Sequence, residues 1–464
     1  MSGTVRHDPV RRRRGDGPDR SAAAAGDGTG FRLPRAAWLR QRWADLRAAF
    51  WLRPAAMTLA AALLSALLVA SEGTVELPAW LEAWVYAGGT AGARDVLGTI
   101  AGAMIGVAGT TFSITVAALT LASSQMGPRL LRNFTRDPGN QYALGALVAT
   151  FAYALVALRA VHEAEEGAFV PQLAVTFGLL LAFACVGVLI WFIHHVASSI
   201  NVDHVVAMVH RDLTEALDVL PPASEASDAE PAPPPTEQPA PLCAPDRGGF
   251  LRVLDDDALA DWAAAEEARL LLRVRPGDFV FPGSRIGAVW PAAKAAEAEA
   301  ALAGAMSLGD SRSVEQDLEF AVRQLVEVGL RALSPGVNDP FTAVAVLDRL
   351  GAALCQVAGR ALPPARFRRE GMLRLERPTT DYAGLADAMF HMLRQAGAGV
   401  PAVMIRLLEV LAEAAAVERD SARHAVLRRH AMLARAAALG ATQDPAARES
   451  VEERHRAALD ALRP

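Results

Sequence analysis

The sequence predicts a membrane protein in two unlike halves. The first is an all-α bundle of four membrane-spanning helices. The second is a cytosolic α+β domain, mostly helical, with a small β-hairpin or half-barrel element. Three observations predict it. Hydrophobic residues make up 52% of the chain and charged residues 21%, with a mean hydropathy of +0.21, where soluble domains of this size carry more charge. Four long apolar windows lie close together between residues 54 and 193, separated by charged loops. Beyond them, turn-rich strand signals and then helical periodicity run to the end. A length of 464 residues leads us to expect two or three units. The net charge of −5 excludes a globally basic nucleic-acid binder. Cys185, Cys243 and Cys355 are far apart, which excludes a disulfide scaffold or a zinc ribbon.

Residues 1–34 form an arginine-rich tail with Arg11–Arg14 in a Gly/Asp/Ala background, expected to be disordered. Over 35–53, Leu39, Trp43, Leu46 and Phe50 recur at helical spacing among Arg35, Arg40, Arg42 and Arg47. That pattern suits an amphipathic helix in the headgroup layer, or a cytosolic helix packed on its own domain. A four-span domain is expected over 54–220. Its windows are Pro54–Ala70, Val96–Leu121, Tyr142–Leu158 and Pro171–Ile193. About 20 apolar residues cross the hydrocarbon core, so all four qualify. The first loop carries Glu72, Glu76 and Glu82, the second Arg129, Arg132 and Arg136, the third Glu163, Glu165 and Glu166. By the positive-inside rule this alternation predicts a multi-pass protein of the bacterial inner membrane with both termini cytoplasmic.

The second window is chemically unusual. Gly98, Gly102, Gly106, Gly109, Ser113, Thr120 and Ser124 fall within roughly 80° of one helical face. Small residues permit close backbone approach in lipid, and hydroxyls bond across helices or back to their own carbonyls. Two readings stand: tight packing within the bundle or between subunits, and the wall of a charge-free pore. Arg129, Arg132 and Arg136 would then form a basic cytoplasmic mouth favouring anions.

The fourth window continues with no break signal through His194, His195, Asp203, His204 and His210, an expected cytosolic helix extension. The wheel scatters these histidines, so no metal site is expected. Residues 221–247, including Pro233-Pro234-Pro235, read as an extended or disordered linker. A small β-rich element comes next, over 248–291. Gly248–Val253 and Leu270–Val274 read as strands around a helix over Ala258–Ala268, with turns at Pro276-Gly277-Asp278 and Pro282-Gly283 before Ile286–Trp290. The PGDFVFPG stretch is similar to the hairpin of a lipoyl-like half-barrel, but lacks a lysine at the turn, so no covalently carried cofactor is expected.

A helical domain is expected over 292–464, with residues 361–379 irregular or β. One helix runs from about Val314 to Leu333. It is broken by Ser334-Pro335-Gly336-Val337-Asn338-Asp339-Pro340, and the next begins near Phe341. The prolines stop helices, Gly336 permits positive φ, and Asn338 or Asp339 can cap the next helix. Ser334, Gly336, Asn338 and Asp339 therefore form either a structural connector or a ligand loop.

TTFSITVAALTLASSQMGPRLLRNFTRDPGNQYALG (110–145) and DLEFAVRQLVEVGLRALSPGVNDPFTA (317–343) resemble the two signature blocks of the bacterial DUF2254 family of predicted inner-membrane proteins. The resemblance runs from about residue 40 over most of the chain. It implies four spans followed by a soluble domain, and no activity or site residue comes with it. The function expected first is an oligomeric, channel-like or transport-related protein with a cytosolic assembly or regulatory domain. The alternative is a membrane-tethered sensory or scaffolding protein whose cytosolic domain binds a ligand or partner. An enzyme is least expected, since GxSxG, HExxH, P-loop and paired-carboxylate motifs are missing. The expected partners are the lipid bilayer and further copies of the chain. No nucleic acid, cofactor or metal is expected, and the small molecule or ion concerned is left unassigned.

Overall fold

The structure, a computed structural model, describes residues 50–72, 78, 80, 84–126, 137–164, 167–199, 201–223, 233 and 235–463. The arginine-rich tail, nearly all of the 35–53 segment, Arg129, Arg132 and Arg136, and residues 224–232 of the linker lie outside them. Four apolar helices open the described chain: α1 (Leu52–Ala70), α2 (Thr90–Met126), α3 (Pro138–Ala160) and α4 (Gln172–Ser199). Each is long and apolar enough to cross a membrane. Nineteen residues of α1 rise about 28 Å, close to the thickness of a hydrocarbon core. Helix α3 packs against all three others, whereas α1 and α2 hardly touch, so the four helices group around α3 rather than closing a square bundle.

Polar layers bound the apolar stretch. At one end Asp137 caps α3 through the Gly139 amide at 3.0 Å and meets His195 Nε2 at 2.5 Å. Arg53 donates to Gln141 at 3.1 Å and lies over the Tyr142 ring. At the other end Glu72 accepts from the first amides of α4, Gln172 and Leu173, and Arg94 donates to the Val161 carbonyl. A short hairpin, β1 (His162–Ala164) with β2 (Gly167–Phe169), joins α3 to α4 at that end. Between the layers, buried hydroxyls find carbonyls across helices, Ser65 on Tyr153 at 3.0 Å and Tyr153 on Ala174 at 2.8 Å. Such pairing is needed where no water reaches.

The expected continuation of α4 is corrected. Asn201 ends it and caps a separate helix, α5 (Val202–Asp218), by accepting from the Asp203 amide at 2.9 Å. A short polar side chain in extended backbone offers the chain an alternative to another helical turn. Val205, Val206, Val209, Leu213 and Leu217 then turn into the core of the C-terminal helical domain. That domain adds α8 (Leu318–Ala332), α9 (Pro340–Val357), α10 (Tyr382–Gly397), α11 (Pro401–Val417), α12 (Ser421–Ala441) and α13 (Pro445–Ala461), with α6 (Asp256–Ala265) and α7 (Ala295–Ala305) before them. Helix α9 is itself long and apolar enough to cross a membrane, the fifth such helix. Its apolar face, Val346, Leu347, Leu350 and Leu354, is buried in this core, and its Asp348 pairs with Arg406 at 2.5 Å. It is a core helix.

The break over 334–340 is a connector with a division of labour. Asp339 caps α9, accepting from the Phe341 and Thr342 amides at 3.1 and 3.2 Å and from the Thr342 hydroxyl at 2.6 Å. The left-handed residue is Asn338 (φ 50°), and Gly336 keeps an ordinary φ. That corrects the role expected of Gly336. Asn tolerates this region because its short side chain substitutes for local backbone partners. Ser334 closes the preceding helix through its hydroxyl, which donates to Arg331 O at 2.6 Å.

The β-rich element reaches beyond 248–291. Strands β3 (Ala240–Cys243), β7 (Arg285–Trp290), β5 (Arg269–Leu272), β10 (Met372–Glu376) and β9 (Arg366–Arg369) form one sheet in that order. A second sheet has the order β6 (Phe279–Val280), β4 (Gly249–Leu254), β8 (Met306–Gly309). Two expectations change here. The last part of the Pro-rich linker is an edge strand, where Pro241 is tolerated because an edge needs only alternate amides. Strands from 306–309 and 366–376 complete the sheets, so residue 291 divides neither of them.

Candidate functional site

The small-residue face of α2 lies on the outside of the group of four helices. The residues of α2 that pack inward are Ala93, Leu97, Ile100, Ala101, Met104 and Ala108. A Cβ added at Gly98, Gly102, Gly106 or Gly109 would meet nothing within 4 Å. Ser113 and Thr120 each donate to the carbonyl four residues back, at 2.9 Å. Ser124 lies in the last turn of the same helix. Packing of this face within the group of four helices is therefore corrected. The hydroxyls of Ser113 and Thr120 are thus met inside the helix, and the Gly98–Gly109 face is open, small and uncharged.

A second feature was not expected from the sequence. Between α8 and α10 lies a cleft of 870 Å³, lined by Glu319, Arg323, Val326, Glu327 and Leu330 on one side. Gly384, Asp387, Ala388, His391 and Met392 line the other, with Arg275 from the loop after β5 at one end. Helices α8 and α10 run parallel along the cleft. Gly329 lies against Leu393, and Gly397 against Leu333. Contact is close where the glycines sit and opens towards the N-terminal ends.

The charges at that end are organised. Glu319 is buried, with a relative exposure of 4%. It accepts from Arg275 at 2.6 Å, from Arg323 at 3.0 Å and from the Thr380 hydroxyl at 3.5 Å. Arg275 also donates to Thr380 at 3.1 Å, so strand loop, helix and the start of α10 share one network. Next to it Asp317 caps α8 through the Phe320 amide and pairs with Arg312 at 2.5 Å. Burial pushes the Asp317 carboxyl upward, and Arg312 opposes that shift. Gly277 (φ 98°) is required here, since a Cβ would collide with the Asp317 carboxylate.

At the other wall Asp387 pairs with Arg429 at 2.5 Å and lies 3.2 Å from His430, while His391 meets Gln395 at 3.1 Å. The Arg323 guanidinium and the His391 imidazole are open to solvent here. Val326, Leu330, Ala388 and Met392 supply apolar floor. The cleft is open to solvent on one side and sets a few polar groups over an apolar floor. Among the described residues no group of three His, Cys, Asp or Glu side chains could hold a metal ion. Of the residues singled out in the sequence, Ser334, Gly336, Asn338 and Asp339 lie at the C-terminal end of α8, beyond the cleft, and the α2 glycines line none of it. The cleft was illegible because its walls are about 65 residues apart. The i,i+4 pairs Glu319/Arg323, Arg323/Glu327 and Asp387/His391 were the local signals there.

The family model for DUF2254, described as a predicted membrane protein, matches residues 47–413. Two uncharacterised proteins of Mycobacterium tuberculosis, from strains CDC 1551 and H37Rv, and one of Mycobacterium bovis are each 35% identical to the chain over 405 residues. Each alignment covers 84% of this chain and 77% of the relative. No solved structure matches.

Proposed function

Since the chain belongs to the DUF2254 family of predicted membrane proteins, we propose that it is a membrane-anchored receptor. In this reading its C-terminal domain binds a small polar ligand in the α8–α10 cleft, and the domain and both termini are cytoplasmic. The observation that carries the reading is the cleft itself, with donors and acceptors over an apolar floor. Helix α8 provides the output route. It lines the cleft, and it also packs on α2, whose Leu119 joins the core of the helical domain. A ligand that draws α10 towards α8 would bias the position of α2.

The test is hydrogen exchange on the full-length protein in nanodiscs, challenged with fractionated small-molecule extract. Protection of α8 and α10, lost in Arg323→Glu, supports the reading. No protection from any fraction would overturn it. Reporter fusions after Glu165 and after Leu220 should read opposite sides of the inner membrane, and agreement between them would refute the topology.

The second reading, an oligomeric channel-like protein, is favoured by the outward α2 face. In that case several copies would bring Gly102 and Gly106 together, and Ser113→Cys would react with a water-soluble thiol reagent. An unreactive cysteine in an intact oligomer would leave packing and remove the pore.

A further inference from the structure

Helices α5, α9 and α11 fix which end of the C-terminal domain faces the bilayer. Helix α5 begins three residues beyond Ser199, the end of α4. Its far end is held to the far end of α9. Gln356 donates to Asp218 at 2.6 Å, and Arg360 donates to the carbonyls of Leu217, Asp218 and Leu220. The two helices run parallel and have 17 and 18 residues, so the start of α9 lies level with Val202. Helix α11 runs parallel to α9, with Gly351 against Val410 and Asp348 bonded to Arg406. The turn before Pro401 therefore joins the same end.

That end has an unusual composition. Over 332–347 the one ionisable residue is Asp339, and its carboxylate is already engaged by two amides and a hydroxyl. Over 395–405 there is none. Phe341 is 85% exposed there and Val337 46%. The opposite end is highly charged, with Asp218, Arg360, Glu418, Asp420 and Arg423 in mutual contact. Asp203 and His204 at the start of α5 lie at the same end, but the α8–α9 and α10–α11 turns carry no free charge, and Phe341 projects from the start of α9.

We infer that this end of the domain rests in the headgroup layer of the leaflet where α4 ends, with Val337 and Phe341 as its lipid contacts. His195 sits in the polar layer at that boundary, α4 ends four residues later, about 6 Å along the helix, and Val202 follows it at once. Headgroups occupy about 5–7 Å beyond the hydrocarbon on each side, so a protruding aromatic side chain reaches them. An aromatic ring there gains from partial burial, and the lack of free charge in the α8–α9 turn avoids desolvating an ion beside it. The contact would tie the start of α9, and the end of α8 before it, to the membrane plane.

The test uses the full-length chain in nanodiscs of phosphatidylethanolamine and phosphatidylglycerol. Phe341→Cys is labelled with an environment-sensitive fluorophore after Cys243→Ser and Cys355→Ala, and the control is Phe281→Cys, exposed just beyond β6. Lipids carrying a nitroxide near the headgroup should quench the probe at 341 several-fold more than that at 281. Phe341→Trp in the otherwise native chain, read as extra quenching by brominated lipid over the parent, repeats the test without cysteine changes. Equal quenching at both positions would overturn the inference. So would a blue-shifted probe at 341 that lipid nitroxides leave untouched, because a second copy or residues 127–136 would then cover it.

Discussion

Two single side chains carry pH dependence in the same sense, over different pH ranges. His430 is 1% exposed between α10 and α12. Burial lowers its pKa to about 4, although the Asp387 carboxylate pulls the other way. The folded chain therefore refuses a proton that the unfolded chain accepts below the ordinary value near 6.5. Stability falls as pH drops from about 6.5 to about 4, by at most about 1.4 kcal/mol per pH unit. Hydrogen exchange of α12 amides in the detergent-solubilised chain should show that slope, and His430→Leu should flatten it. Asp339 acts in the same direction at lower pH. The Thr342 hydroxyl holds its carboxyl below the usual range, so its contribution is present above the ordinary carboxylate pKa and is lost as pH falls through the depressed one. Asp339→Ala should destabilise α9 by about 0.5–2 kcal/mol as a lost cap. Asn338→Gly, at a positive φ, should be tolerated, whereas Asn338→Val should not. Equal damage from Asp339→Ala and Asn338→Gly in a denaturant titration would refute this division of roles.

At the scale of an element, α2 has two faces with opposite tolerances. Ala101 is buried against the neighbouring helices, and Gly102 beside it opens outward. Ala101→Leu should overpack the protomer and cost about 1–3 kcal/mol. Gly102→Leu should leave the monomer fold intact, and should lower the oligomer mass only if copies meet on that face. Thermal unfolding followed by size-exclusion light scattering separates these outcomes. If Gly102→Leu unfolds the monomer as readily as Ala101→Leu, the assignment of faces is wrong.

For the whole molecule, the chain on either side of residues 224–232 is one structure. Helix α5 lies before them and supplies Val205, Val209, Leu213 and Leu217 to the core. After them β3 lies at the edge of the five-stranded sheet. A protease site introduced at 228 should give two fragments that co-purify after cleavage. A chain starting at 248 should aggregate, because removing α5 and β3 exposes apolar core and a bare strand edge. Separation of the nicked fragments in mild detergent would contradict the shared core.

The four apolar helices, the amphipathic helix over 318–332 and the connector at 334–340 were legible because their determinants are local. A bilayer demands some twenty apolar residues in a row, a buried face repeats every 3.6 residues, and proline with a capping carboxylate ends and starts helices in place. What only the tertiary structure decided is which surfaces meet. The α2 glycines mark a face suited to close approach, yet local spacing cannot say whether α3 or solvent lies opposite. The division of Asn338 and Asp339 into left-handed residue and cap depends on how α9 leaves α8. The strand at 240–243 owes its state to β7, and β10 pairs in parallel with β5, a strand far back in the chain. The α8–α10 cleft exists only once Glu319, Thr380 and Arg275 converge. Periodicity records that a side is buried, and the identity of its neighbour is a property of the folded whole.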